Sequence, residues 1–262
     1  MKKISIIGGS GFIGHNLALL LKKEEFDVSI IDNLEINNLG SIEKNENNLP
    51  FPKLSTLILN QRINFLKENK ISLIKIDAKN HKKINETLKE IKPHIIIHLA
   101  AVSHANRSNV DPHKTFENSL VTLENVLDYA KNKVDHFIFS SSSMVYGNFK
   151  TSEVNEDSIC SPIGIYGAMK YSAEKIIQSY NQTFNLPYTI VRPSALYGER
   201  CISRRVGQIF IESALNNKEI VIDGDGEEKL DFTYIQDLIQ GFLKIIKNES
   251  SKNQIFNITY GN

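Results

Sequence analysis

The stretch Gly8-Gly9-Ser10-Gly11-Phe12-Ile13-Gly14 lies between an apolar run, Ile4 to Ile7, and a segment in which Phe12, Ile13, Leu17, Leu20 and Leu21 recur at helical spacing. It reads as a strand, a tight glycine turn and the start of a helix whose buried stripe those apolar residues form. In such a turn Gly8 allows the sharp reversal, Gly11 lets a dinucleotide pyrophosphate approach the backbone, and Gly14 lets the helix pack closely on the strand. The phosphates then meet free N–H groups at the positive end of the helix dipole. A glycine triplet alone also fits a flexible loop before a helix, so its position matters. A second apolar run, Val28 to Ile31, follows and leads directly into Asp32. A carboxylate about twenty residues beyond the glycines, at the end of the second strand, accepts bonds from both hydroxyls of an adenosine ribose. That geometry disfavours a 2′-phosphate and points to NAD over NADP; the plainer alternative is that Asp32 caps a turn.

The chain has 262 residues, 41% of them hydrophobic, enough for one large α/β domain or a domain with a smaller lobe. A formal net charge of +1 gives no global pull towards nucleic acid or a membrane surface, so any anion site must be local. Cys160 and Cys201 suggest no disulfide framework and fit a reducing, cytoplasmic compartment. Met1-Lys2-Lys3 before Ile4-Ser5-Ile6-Ile7 imitates the opening of a signal peptide, but the apolar run is too short and breaks into glycines, so it reads as the first strand. No stretch approaches the ~18 apolar residues of a membrane span.

Beyond Asp32, an Asn-rich stretch from Asn33 to Asn48 with Pro50 and Pro52 reads as a surface excursion. A helix follows, marked by Leu54, Leu57, Ile58 and Leu59 and running to Leu66; the insertion carries no recognisable chemistry. Further strands are expected at Leu73–Ile76, Ile95–Ile97, Phe137–Phe139, Tyr188–Val191 and Ile255–Ile258. Helices are expected at about Lys82–Ile91 and through Phe116, Leu120, Leu123, Leu127 and Ala130, whose steps of four and three give one apolar face. Strands alternating with helices require right-handed crossovers and a parallel sheet, the doubly wound α/β architecture (Rossmann). Asp77-Ala78 and His98-Leu99-Ala100-Ala101 fall at strand ends on the carboxyl edge, where such sheets bind ligands. No linker separates independent domains. Residues 1–192 form the dinucleotide-binding part and 193–262 a smaller substrate lobe, with the final strand, 255–258, returning to the sheet.

Ser140 to Ser143 leave the Phe137–Phe139 strand, and Tyr166 and Lys170, four apart, share one helix face. A free tyrosine has a pKa of about 10, so serving as a base near neutrality needs roughly 4 kcal/mol of phenolate stabilisation. A neighbouring ammonium and a positive nicotinamide can supply it, while a serine hydroxyl orients the substrate oxygen. A Tyr and Lys so spaced are common surface decoration when alone; joined to the glycine turn and the serines they form a reactive constellation.

With these residues assembled, the chain resembles the extended short-chain dehydrogenase/reductases, specifically the NAD-dependent nucleotide-sugar epimerase/dehydratase family. The likeness covers nearly the whole sequence except about 36–70. It runs through the glycine turn, Asp32-Asn33, Asp77, His98 to Ala101, Asn118, Ser140 to Gly147, Tyr166/Lys170, Arg192-Pro193-Ser194-Ala195-Leu196-Tyr197-Gly198, and Gly224-Asp225-Gly226 leading to Asp231-Phe232-Thr233-Tyr234. The resemblance implies that Gly8, Gly11, Phe12, Ile13 and Gly14 hold the cofactor's phosphates, that Asp32 and Asn33 meet its ribose and that Asp77 and Ala78 border the adenine. It places Leu99, Ala100, Ala101 and Pro193 along the cofactor and has Asn118 support the site. Tyr166 becomes the base, Lys170 the holder of the nicotinamide ribose, and Ser142 the catalytic serine, with Ser143 beside the substrate. The implied reaction passes a proton to Tyr166 and a hydride to NAD, giving a transient ketone that regains the hydride on its other face.

A 4,6-dehydratase is expected to carry an Asp-Glu pair just after its catalytic hydroxyl residue; Ser143-Met144 stands here instead. Ala195 and Leu230 replace an asparagine and an arginine that many relatives use for the nucleotide diphosphate. Arg200, Arg204 and Arg205 are the candidates to replace that charge, because the guanidinium fork suits phosphate; the alternative is a solvated basic loop. Many relatives also continue beyond this final strand with elements that close the substrate site, so either the piece is truncated or the lid is reduced. His94, His98, His104 and His113 match no helical metal-pair spacing, and no metal is expected. The preferred reading is an NAD-dependent nucleotide-sugar epimerase, acting at C4, that forms a homodimer through the helices around Phe116–Ala130 and Tyr166–Tyr180 and binds neither nucleic acid nor membrane. The alternatives are a nucleotide-sugar reductase, a decarboxylase, or a non-catalytic dinucleotide sensor.

Overall fold

A computed structural model describes the chain except residues 36–38, 45–49, 103–104, 150, 203–204, 223, 228 and 262, with the backbone alone at 105–107. In chain order the first half comprises β1 (Lys3–Ile7), α1 (Phe12–Lys23), β2 (Asp27–Asp32), α2 (Leu39–Glu43), α3 (Pro52–Glu68), β3 (Ser72–Lys75), α4 (His81–Ile91), β4 (Ile95–His98), α5 (Ala105–Val110) and α6 (Pro112–Phe116). A π-helical turn (Glu117–Val121) joins α6 to α7 (Thr122–Ala130). The second half comprises β5 (His136–Ser140), α8 (Gly164–Phe184), β6 (Tyr188–Pro193), β7 (Leu196–Tyr197), α9 (Val206–Leu215), β8 (Thr233–Tyr234), α10 (Ile235–Lys247) and β9 (Gln254–Ile258).

Seven strands form one parallel sheet in the order β3-β2-β1-β4-β5-β6-β9. Every strand expected from the apolar runs is present in it, and β9 pairs with β6 in register Ile190↔Ile255. The short parallel pair β7–β8 had no periodic signature, because two residues per strand cannot display one. Alternate side chains of the central strands enter two cores, one on each face. Ile4, Ile6, Ile97 and Ile138 pack with α1 and α10 through Leu17, Leu21 and Phe242. Ile7, Ile96, Phe137 and Phe139 pack with α4, α7 and α8 through Leu88, Leu127 and Ile177.

Two expectations need correction. In the α1 stripe Leu17 and Leu21 are fully buried, but Phe12, Ile13 and Leu20 only border the core. The single helix expected from Phe116 to Ala130 divides into α6, the π turn and α7. Phe116 is 45% exposed: the extra residue of the π turn shifts its face away from that of Leu123, Leu127 and Ala130.

Candidate active site

The chain runs outward from β1 through β2 to β3, then crosses to β4 and continues the other way. Between β1 and β4 the order therefore reverses, which opens a crevice beyond the carboxyl ends of the strands. The glycine turn lines it. Gly8 has φ +79°, and a Cβ there would lie 2.6 Å from the Ala100 amide nitrogen, so a side chain would separate the turn from the end of β4. Gly14 packs on the turn itself rather than on the strand, since a Cβ would meet the Gly9 backbone at 2.5 Å. Gly11 differs: its Cβ would touch only the Gly8 carbonyl, at 3.4 Å. Nothing among the described residues requires glycine there, which is the pattern expected where a ligand approaches the backbone. No side chain caps α1, which leaves the first amides of the helix, through Phe12, Ile13 and Gly14, for an anion.

Asp32 ends β2 with its carboxylate beside this turn: Oδ2 accepts from the Ser10 amide (3.0 Å) and Oδ1 from the Leu34 amide (2.7 Å). Asn33 accepts from the Glu35 amide. Beyond β3, Asp77 accepts from the Lys79 amide, and Ala78 is buried. The buried Asn125 of α7 donates to the Ala78 and Lys79 carbonyls at 2.9 and 3.0 Å and so fixes the loop expected at the adenine; sequence reading missed it because it sits inside an apolar helix face. On the other wall Leu99 donates to the Ile7 carbonyl, carrying Ala100 and Ala101 across the crevice. Asn118 lies in the π turn, partly buried, where its carbonyl accepts from Thr122. Pro193 ends β6, buried. An open glycine face, an uncapped helix start and a carboxylate at the second strand's end together fit a dinucleotide.

The candidate reactive groups meet where β5 ends and α8 begins. Ser142 starts a single 3₁₀ turn, Ser143–Val145, with its hydroxyl accepting from the Met144 amide. The same hydroxyl is close enough to the Tyr166 phenol to favour its ionised form. Lys170, buried one turn further along α8, donates to the Ser140 carbonyl at 2.7 Å. Its ammonium lies over the rings of Phe139 (4.9 Å) and Tyr166 (5.9 Å). Burial lowers Lys170 to about 8, against the opposing pull of Glu174. Burial pushes the Tyr166 phenol up, while the nearby Ser142 hydroxyl and the charge of Arg205 draw it down. The Lys170 ammonium thus stands beside the Tyr166 ring while its hydrogen bond goes to the Ser140 carbonyl, leaving a bound nicotinamide as the second charge expected to favour the phenolate.

Behind these groups lies a buried polar network that sequence reading missed. Arg192, at the end of β6, grips Glu174 of α8 with both ends of its guanidinium, Nε to Oε1 at 3.0 Å and Nη2 to Oε2 at 2.7 Å. Ser141 donates to the same carboxylate. Arg192 Nη1 donates to the Tyr146 hydroxyl (2.8 Å), which donates to Asn257 of β9 (2.8 Å). The signal was the spacing Tyr166, Lys170, Glu174, three residues each four apart on one face.

The arginines expected at an anionic substrate separate. Arg205 begins α9, exposed, with its charge reaching the Tyr166 phenol. Arg204 lies outside the described residues. Arg200 faces elsewhere: it donates to His15 Nε2 (3.1 Å) and Asn16 Oδ1 (2.8 Å) of α1 and stacks over Phe65 of α3. Its carbonyl is held by Arg62, itself buried on α3. The insertion thus packs the segment after β7 onto the helix of the glycine turn, and Arg200 is occupied there.

Residues 4–259 match the NAD dependent epimerase/dehydratase family. The chain belongs to this family. Its curated members include a dTDP-D-glucose 4,6-dehydratase of Dictyostelium discoideum, 32% identical over 98% of this chain, and a putative UDP-glucose 4-epimerase of Methanocaldococcus jannaschii, 29% identical over 98%. The chain spans 58% of the first relative's length and 77% of the second's. Among solved structures, a UDP-glucuronic acid 4-epimerase from Bacillus cereus, crystallised with UDP-glucuronic acid and NAD, superposes with a TM-score of 0.84 at 29% identity, covering 98% of this chain and 77% of that one. A UDP-glucose 4-epimerase from Thermotoga maritima, with UDP-glucose, gives 0.82 at 27% identity, covering 100% and 78%. Epimerases and dehydratases thus both stand among the family members similar to this chain. No helix among the described residues is long and apolar enough to cross a membrane.

Proposed function

We propose that this chain interconverts nucleotide-activated sugars at C4, with NAD as a resident cofactor. The observation that carries the reading is the meeting of Tyr166 and Lys170 of α8 with the serines that follow β5: the Lys170 ammonium lies 5.9 Å from the Tyr166 ring and donates to the Ser140 carbonyl at 2.7 Å. In this reading Ser142 orients the reacting sugar hydroxyl, Tyr166 takes its proton, and Lys170 holds the nicotinamide ribose and favours the phenolate. NAD, when bound, supplies the hydride acceptor that makes a transient ketone and returns the hydride to its opposite face. Gly11 and the start of α1 receive the pyrophosphate, Asp32 and Asn33 the ribose, Asp77 and Ala78 the adenine edge, and Leu99, Ala100, Ala101, Asn118 and Pro193 border the nicotinamide half. Residues 193–262 serve as the substrate lobe, in which Arg205, with Arg204, faces the anionic part of the sugar nucleotide and Ser143 its sugar.

Epimerisation is favoured over dehydration although a dehydratase is among the similar proteins. The 3₁₀ turn after Ser142 presents Ser143 and Met144, and neither can donate or accept the proton that loss of water requires. The free cysteines Cys160 and Cys201 support a cytoplasmic setting, and the α7 and α8 pair is the face through which two copies would associate. The test is NMR of the protein with UDP-glucose, UDP-glucuronic acid and UDP-N-acetylglucosamine. A 4-epimer formed without net redox change supports the reading, and Tyr166→Phe abolishes it while NAD still binds. Stoichiometric consumption of NADH would identify a reductase and release of carbon dioxide a decarboxylase. NAD binding without turnover of any sugar nucleotide would identify a sensor.

A further inference from the structure

Lys170 and Glu174 stand four residues apart on α8, the spacing at which a helical lysine and glutamate ordinarily pair. They do not pair here. Lys170 donates to the Ser140 carbonyl, and the Glu174 carboxylate is taken on both oxygens by Arg192 and on one by the Ser141 hydroxyl. Arg192 is itself anchored, through Nη1, to the Tyr146 hydroxyl and to the Glu156 carbonyl, so its fork is fixed from the far side. Glu174 is 1% and Arg192 2% exposed. A carboxylate so deeply buried must keep a cation, and a bidentate guanidinium is a stronger partner than a single ammonium.

We propose that Arg192 is a positioning residue: by holding both oxygens of Glu174 it keeps that carboxylate from Lys170, so that the ammonium remains on the Tyr166 side of the helix. The inference rests on the reading of Tyr166 and Lys170 as the reactive pair. The charged and titratable groups facing Lys170 are Glu174 and Tyr166 from its own helix and His98 from β4. Those facing Tyr166 are Lys170 and, from the start of α9, Arg205. His98 is buried and holds no counter-charge. Glu174 is therefore the one carboxylate among these groups, and the position of Arg192 decides which cation it serves.

Replacing Arg192 by leucine leaves Glu174 with Lys170 as its nearest cation on the helix. The ammonium then turns away from the phenol and loses its net charge to the carboxylate. The experiment is an ultraviolet titration of the NAD-loaded full chain, with the Tyr166→Phe form of each variant subtracted to isolate the Tyr166 phenolate. In Arg192→Leu the Tyr166 midpoint rises by about one pH unit, as expected when an opposite charge is removed from an ionising group. In Arg192→Leu combined with Glu174→Gln the midpoint returns, because no carboxylate competes; a merely structural pair would not be rescued by losing its second member. Should Arg192→Leu fail to fold, Arg192→Lys, which offers one contact instead of two, raises the midpoint by a smaller step that Glu174→Gln again reverses. An unmoved midpoint, or a rise that Glu174→Gln does not reverse, overturns the proposal. In the unaltered chain NAD itself lowers the Tyr166 midpoint. Loss of that drop refutes the underlying reading of the site, whereas its presence with no response at Arg192 refutes the positioning role alone.

Discussion

His98 makes acid stability a sharp test of the core beneath the site. Its ring is 0% exposed, stacked against Phe137 and Phe139 of β5 at 6.2 Å from each, and no hydrogen bond from the described residues reaches either nitrogen. Burial first, and then the nearby Lys170 charge, lower it from 6.5 to about 3, against a small opposing effect of the Ala100 backbone. The unfolded chain therefore binds a proton below pH 6.5 that the folded chain refuses. Stability from this residue is complete above pH 6.5 and is lost as the pH falls towards 3. At pH 5 the loss is 1.5 units of about 1.4 kcal/mol, or about 2 kcal/mol, a sizeable share of a total of about 5–15 kcal/mol. Replacing His98 by leucine removes the titration and the unpaired nitrogens together, while the apolar neighbours remain. The expected stability change is within about 1.5 kcal/mol at pH 7, with a relative gain of about 2 kcal/mol for the variant on going to pH 5. Urea unfolding of both proteins at pH 7, 6 and 5 measures it. A difference between them that does not change with pH would show that the ring is not held neutral by its surroundings.

Two further outcomes follow from the geometry around the glycine turn. Gly11→Val is expected to keep the fold and weaken NAD binding at least about tenfold, since its Cβ meets only one atom of the protein but stands where phosphate must approach; Gly14→Ala, driven into the Gly9 backbone, is expected to cost about 1–3 kcal/mol of stability. Calorimetric NAD titration and urea unfolding separate the two, and equal effects would remove the distinction. Arg200→Ala is expected to lower stability by about 2 kcal/mol, through the lost contacts to His15, Asn16 and Phe65, with sugar-nucleotide affinity unchanged. Arg205→Ala is expected to do the reverse, raising KM and the pH at which Tyr166 ionises.

Much of this architecture could be read before folding. Alternation of short apolar runs with helical periodicities located every strand of the large sheet, because strands buried on both faces show themselves as unbroken Ile, Val and Phe. The glycine turn, Asp32, and the Tyr166/Lys170 pair were equally legible, since each obeys a short-range rule: a turn of fixed length, a strand end, a helix spacing of four. The same local logic misled at Phe116, where a π turn breaks the period that the sequence displays without interruption. It misled again at Arg200, whose neighbours in sequence suggested an anion site and whose neighbours in space are α1 and α3.

The amino-acid sequence alone thus determined the parallel sheet, the glycine turn between its first strand and first helix, and the placing of Tyr166 and Lys170 on one helix face, because those depend on residue type and spacing along one stretch of chain. Which charge faces which was settled only by tertiary structure. Glu174 lies four residues from Lys170 but eighteen from Arg192, and spacing favours the lysine. Packing of α8 against β6 places the guanidinium where it can take both oxygens, and in a dry interior the bidentate partner prevails over the nearer one.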